Sequence, residues 1–397
     1  MSDAGSAPAQ TPRPVSVVVP VSAGLLTAIV GFASSFAVVL AGLQAVGATP
    51  AQAASGLIAL SAGQGLLMLV LAWRSRLPLS FAWSTPGAAL LVSTGLPEGG
   101  FPEAVGAFLV AAGLITVAGL WRRFGRAVEA IPASLASAML AGVLLNLCLA
   151  PIRAVEAFPW QAAAIILVWA VTLRFARLYA VLAAVLAAAV VIPLSTPLPA
   201  GVFDAAWPVP VFVLPVFNLD SAIGIALPLF LVTMASQNIP GLAVLNANGY
   251  RPAASPLFVA TGGTSIVTAL FGGHMLNLAA ITAALCAGPD AHPDPKKRYI
   301  ASLTAGGSYI VIALVAGIAA AFATASPPLL IQTVAGLALL ASLAGAASAA
   351  LSKPEEQVPA IVTFVTTASG LSLFGIGAAF WGLLAGGAML ALLNLRR

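Results

Sequence analysis

Few side chains in this sequence could carry out chemistry, and their placement narrows what that chemistry can be. His274, in FGGHMLN, lies inside an apolar run, whereas His292 lies in the charged stretch AHPDPKKR. An imidazole titrates near pH 6.5, so His274 is a candidate for proton coupling or for capping a helix. The carboxylates Glu98, Glu103, Asp204 and Asp220 fall in loops or at helix ends on one side. Glu129, Glu355 and Glu356 fall at ends on the other. Arg153 and Glu156 flank a turn, where an exposed ion pair contributes little. Cys148 and Cys286 have no CxxC spacing and read as small buried hydrophobes rather than a metal or disulfide pair. No nucleophile–base pattern, metal-ligand spacing or cofactor motif is visible, so the sequence predicts neither an enzyme nor a bound cofactor.

What remains is backbone and neutral polar groups. The first N–H groups of a helix have no internal partner and carry partial positive charge. A helix start inside a membrane can therefore hold an anion without Arg or Lys. The segment FAWSTPGAALL (81–91) fits this use. Ser84 or Thr85 can cap, Pro86 suits a first turn, and Gly87 allows close approach. In the run 271–285, Gly272 and Gly273 precede His274 and Asn277 in the same manner. Two such ends facing each other would hold one carboxylate; otherwise each is a glycine-packed kink. The string VTMASQNIPG (232–241) places Ser236, Gln237 and Asn238 within an apolar helix, and GFASSF (31–36) places Ser34 and Ser35 likewise. These groups serve either as helix–helix contacts or as the lining of a cavity. Trp83 and Phe271 flank the two expected ends, where an aromatic ring suits a flat aromatic acid. Trp83 could alternatively sit at the membrane–water interface.

These groups must be positioned by membrane helices. The chain has 397 residues, of which 61% are hydrophobic and 7% charged, with a mean hydropathy of +1.07. A soluble domain carries roughly 25% charged residues, so a soluble fold and a nucleic-acid binder are excluded in spite of the net charge of +5. A spanning helix needs about 20 apolar residues. Helices are expected near 15–44, 51–73, 101–121, 127–149, 158–174, 178–196, 219–242, 254–271, 299–324, 327–351, 356–373 and 375–394. Two short, interrupted segments lie at 79–96 and 272–288. Residues 1–14 read as a disordered cytoplasmic terminus with no signal peptide.

Charge tests that count. With the N-terminus inside and every segment crossing once, Arg13, Arg74, Arg76, Arg122, Arg123, Arg126, Arg174, Arg177, Arg251, Lys296, Lys297, Arg298, Lys353, Arg396 and Arg397 lie inside. That is 15 of the 16 basic residues; Arg153 alone lies outside. The expected architecture is an all-α polytopic membrane protein with 14 transmembrane segments, both termini cytoplasmic. A first repeat of seven helices (15–196) is joined by an outer Pro-rich linker (197–218) to a second, inverted one (219–394). Short broken helices 3 and 10 occupy matching places. Ala33, Ser34, Gly47 and Pro50 recur as Ala235, Ser236, Gly249 and Pro252. Interrupted segments in corresponding positions of two halves point to a transporter binding site.

With these residues in view, the chain resembles the bacterial benzoate/proton symporter (BenE) family from about residue 20 to 393. The resemblance rests on FAWSTPGAALL (81–91), PLFLVTMASQNIPGLAVLNANGY (228–250), SPLFVATGG (255–263), LNLAAITAALCAGPDAHPD (276–294) and TTASGLSLFGIGAAFWGL (366–383). Through its relation to nucleobase/ascorbate and sulfate-permease-like carriers, it implies a core domain (helices 1–4 and 8–11). This core moves by alternating access against a gate domain (helices 5–7 and 12–14). Nucleobase carriers of that fold place carboxylates on helices 8 and 10, whereas this sequence has Ser236–Gln237 and LNLAAI there. The expected function is import of benzoate or a similar aromatic monocarboxylate with a proton across a bacterial inner membrane. The alternatives are a nucleobase/proton symporter or an inorganic-anion carrier of the same fold. A homodimer is compatible with this reading.

Overall fold

The computed structural model describes residues 18–121, 132–197, 199, 201–202, 207, 209–279, 282–373 and 376–395. The expected disordered terminus, the basic residues Arg13, Arg122, Arg123, Arg126, Arg396 and Arg397, and Glu129 and Asp204 fall outside them.

The first half runs α1 (Val18–Ala33), α2 (Phe36–Ala45), α3 (Pro50–Ser75), β1 (Phe81–Trp83), α4 (Thr85–Thr94), α5 (Gly100–Leu120), α6 (Ala133–Cys148), α7 (Ala150–Ala157), α8 (Pro159–Phe175) and α9 (Ala180–Ser195). The second half runs α10 (Leu219–Ala247), α11 (Ala254–Ala269), β2 (Leu276–Leu278), α12 (Ala283–Ala287), α13 (Tyr299–Ala325), α14 (Pro328–Ala350), α15 (Gln357–Ala368) and α16 (Ala378–Asn394). Among the described residues, eight helical stretches are long and apolar enough to cross a membrane, and α8 and α16 are shorter apolar helices. The chain is a multi-pass, all-α membrane protein, with two three-residue strands as its only pairing strands among the described residues.

Local chemistry explains where the helices break. The first expected helix divides at Ser34–Ser35, whose hydroxyls both bond back to the Gly31 carbonyl. In α10 the helix widens into π turns at Ala222–Ala226 and Met234–Asn238. Each lies just ahead of a proline, Pro228 or Pro240, whose missing N–H leaves the carbonyl four residues earlier without its α-helical donor. Thr49 starts α3 with a reciprocal cap, its hydroxyl taking the Gln52 N–H while the Gln52 side chain takes its own.

Helix pairing falls into two groups. In one, α3 packs on α13, α5 on α11, and α1 on α13; in the other, α6 packs on α14 and α15, α15 on α16, and α8 on α9. Lipid is as apolar as leucine, so helices approach through small residues. At the α3–α13 crossing, a Cβ on Gly65 would lie 2.8 Å from the Gly306 carbonyl oxygen, and one on Gly306 would lie 2.9 Å from that of Gly65. The outward faces keep large apolar side chains exposed: Leu66, Val70 and Trp73 on α3, and Val311, Leu314, Val315 and Ile318 on α13. Such a face suits hydrocarbon and would not suit water.

Candidate substrate site

The two interrupted segments meet inside the protein. β1 and β2 pair antiparallel, with Phe81 opposite Leu278, Ala82 opposite Asn277 and Trp83 opposite Leu276. The pairing extends one bond at each end, from Ser84 N–H to Met275 O (2.9 Å) and from Ala279 N–H to Ser80 O (2.9 Å). Extended backbone at membrane depth needs every polar group paired. Side chains satisfy the outer edge of β2: Ser265 Oγ accepts the Leu276 N–H and Asn238 Oδ1 accepts the Leu278 N–H, each at 2.9 Å. β2 is buried throughout, and β1 is buried at Phe81 and Trp83 and half-buried at Ala82.

β1 feeds directly into α4. Ser84 is its N-cap, the hydroxyl oxygen accepting the Gly87 N–H at 3.1 Å, with Pro86 in the first turn. The Ser84 hydroxyl also accepts from Thr233 of α10. A Cβ on Gly87 would lie 2.6 Å from Leu229 Cδ1 and 2.7 Å from Ser84 Oγ, so only glycine admits both neighbours.

Beside this helix start lies a cavity of about 1110 Å³ between the two packing groups. One wall carries Ser34, Ser35, Gln64, Trp83, Thr85, Pro86, Gln237, Thr282 and Tyr309; the other carries Trp169, Arg177 and residues 337–342. The Trp83 indole N–H donates to Ser35 Oγ at 2.8 Å. Its ring meets Phe32 and Tyr309 edge-on, with centroids 5.9 and 6.3 Å away. The tryptophan is thus fixed in the interior rather than placed at the membrane interface. Arg177, exposed at the turn between α8 and α9, is the only charged side chain of the wall among the described residues.

Of the residues singled out from sequence, Ser34, Ser35, Trp83, Thr85, Pro86 and Gln237 share this cavity. Ser84 and Gly87 stand just behind it as cap and packing. Ser236 lines a smaller adjoining cavity of about 250 Å³, together with Pro86 and Gln237. The others lie elsewhere. Asn238 is fully buried and faces β2, because its carbonyl oxygen is taken by the strand. Asn277 is fully buried within β2 and donates to the Leu278 carbonyl. His274 is fully buried, its Nε2 at 2.9 Å from the Ser84 carbonyl oxygen, and does not line the cavity. Phe271 packs edge-on against Phe212, away from the cavity.

The second helix start is therefore misplaced in the sequence reading. Gly272 and Gly273 form a turn into β2, with Gly272 at φ +85°, and α12 begins only at Ala283 after Thr282. The helix α12 spans five residues, so its dipole is weak beside that of the ten-residue α4.

Sequence reasoning missed Gln64, Tyr309, Thr282, Trp169 and Arg177. Gln64 had a signal: it is an amide in the middle of the apolar run SAGQGLLML. The others reach the cavity through tertiary packing, for which a single chain gives no pattern.

The fold is shared with solved membrane transporters. The transmembrane domain of a cyanobacterial bicarbonate transporter, BicA, superposes with a TM-score of 0.61 at 15% identity, over 93% of this chain and 97% of that one. The murine anion transporter Slc26a9 in an inward-facing state gives 0.60 at 12% identity, over 98% and 69%. Residues 15–392 match the family described as BenE, benzoate membrane transport protein, and the chain belongs to that family. It is thus a membrane transporter and not an enzyme. The inner membrane protein YdcO of Escherichia coli is 41% identical over 94% of this chain and 95% of its own length. The benzoate membrane transport protein of Acinetobacter baylyi is 32% identical over 92% of each.

Proposed function

We propose that this protein is a secondary carrier that imports benzoate or a similar aromatic monocarboxylate together with one proton. The observation that carries this reading is the cavity. It joins a capped helix start, a buried tryptophan–tyrosine pair and neutral polar groups, in a space of about 1110 Å³. The carboxylate sits at the first turn of α4, among Thr85, Pro86 and Gln237, and the ring lies along Trp83. An inorganic anion would leave this aromatic wall unused, and a nucleobase would lack carboxylate partners.

In this reading the chain crosses an inner membrane 14 times with both termini in the cytoplasm, as 7+7 inverted repeats (15–196 and 219–394). The α1–α5 and α10–α13 group forms the core, and the α6–α9 and α14–α16 group forms the gate; their separate packing supports that division. Arg177 then marks a cytoplasmic mouth, so the cavity opens inward. Moving an anion into a negative interior costs about 2.3 kcal/mol per 100 mV, and one proton cancels that cost. The proton crosses on the substrate's carboxylate. His274 influences coupling as a positioning residue, by holding Ser84 and hence the α4 start.

Direct binding tests the substrate class. Thermal melting of the purified full-length protein should rise with benzoate and stay unchanged with uracil or sulfate. A rise with sulfate or uracil but not with benzoate would refute it.

A further inference from the structure

Gln64 stands out from every other buried polar side chain of the cavity. It lies on α3 beside the Gly65–Gly306 crossing, which brings it next to the Tyr309 hydroxyl on α13. It is fully buried, and neither its amide nitrogen nor its amide oxygen makes a hydrogen bond of full geometry, the Tyr309 hydroxyl lying close enough to interact with the amide but not to satisfy it. Ser80, His274, Asn277, Ser302 and Thr367 also carry an unpartnered buried atom, but none of them lines the cavity; Gln64 does. An amide recruited for packing looks different here. Asn238, equally buried, spends its carbonyl oxygen on the Leu278 N–H.

An unpaired buried amide is costly, and a bare phenyl ring placed against it would leave both atoms unpaired. A primary amide offers two donors and one acceptor oxygen. A ring hydroxyl both donates and accepts, so it pairs with either atom of Gln64 while Tyr309 closes the other side. Methyl or hydrogen at the same ring position offers nothing to either.

Building on the aromatic-acid reading, we propose that Gln64 is a specificity-determining residue that selects ring-hydroxylated benzoates over benzoate itself. The carboxylate is held at the start of α4, and Gln64 and Tyr309 read the hydroxyl at another position of the ring. A site built to bond a hydroxyl rejects the analogue lacking it more strongly than an apolar pocket rejects a missing methylene.

The test is competition binding on the purified full-length protein with benzoate, the three monohydroxybenzoates and the matching methylbenzoates. At least one hydroxybenzoate should bind about tenfold more tightly than benzoate, and its methyl counterpart should show no such gain. Gln64→Leu should bring that ratio to within about twofold of unity while retaining benzoate binding, which also shows that the variant is folded. Benzoate binding as tightly as all three hydroxybenzoates in the wild-type protein would overturn the inference without any variant. So would a ratio unchanged in Gln64→Leu. Binding of none of these acids would refute the aromatic-acid reading itself, and the inference with it.

Discussion

His274 Nε2 lies 2.9 Å from the carbonyl oxygen of Ser84, joining the turn before β2 to the residue that caps α4. A carbonyl only accepts, so Nε2 carries the proton and the ring is the Nε2–H tautomer. Nδ1 has no partner, and the ring meets Phe108 edge-on with centroids 6.4 Å apart. Ser84 is held at three points: its N–H by Met275, its carbonyl by His274 and its hydroxyl by Thr233. The histidine thus fixes the direction of the helix start that faces the cavity.

The variant His274→Gln keeps a side-chain N–H able to reach the Ser84 carbonyl. Its uptake should stay within about threefold of wild type, with the pH profile unshifted. His274→Leu removes the donor, and its uptake should fall about tenfold, the scale of one lost buried hydrogen bond. Loss of concentrative uptake with retained exchange in His274→Gln would instead make the histidine the proton carrier.

Gln237 and Asn238 are adjacent in sequence, yet only Gln237 reaches the cavity. Gln237→Leu should weaken benzoate binding about tenfold and leave the melting temperature nearly unchanged. Asn238→Leu should do the reverse, destabilising by about 1–3 kcal/mol through the orphaned Leu278 N–H. Ligand titration and thermal melting of both variants check the pair; equal effects on affinity would contradict the assignment.

Gly87→Val places side-chain atoms where Leu229 and the Ser84 hydroxyl already sit. The cap must open, so benzoate binding should be lost while the rest of the fold persists. Retained affinity in a folded Gly87→Val protein would show that the α4 start does not hold the anion.

Much of this was legible in the sequence, for physical reasons that also mark where legibility stopped. Capping chemistry is local, so STPG announced the start of α4 within one residue. The segment around 272–288 reads as a helix because GGH resembles a cap; pairing with β1, nearly 200 positions earlier in the chain and beyond any local window, extends it instead. Trp83 could be a wall or an interface residue until the bond to Ser35 chose between them. Tyr309 and Arg177 carry no local signal, since each is ordinary in its own helix or turn.

Outside the membrane-spanning segments, Glu356 accepts from the Ser134 hydroxyl, and this bond, with Lys353 beside it, holds its carboxyl below the ordinary range. A depressed folded-state value stabilises above the unfolded carboxylate value near 4.3, and the contribution is lost as pH falls through the lower folded value. Melting curves between pH 7 and 3 should show a smaller acid-induced loss in Glu356→Gln than in wild type. Identical pH dependence would show that the bond contributes nothing to folding.

The central claim is proton-driven uptake of an aromatic carboxylate. The most direct measurement is labelled benzoate uptake by proteoliposomes holding the full-length protein, under an inside-alkaline pH gradient. The account predicts saturable accumulation above equilibrium, collapse on adding an uncoupler, and competition by unlabelled benzoate but not by uracil or sulfate. Accumulation indifferent to the gradient, or competition by sulfate or uracil alone, would contradict it.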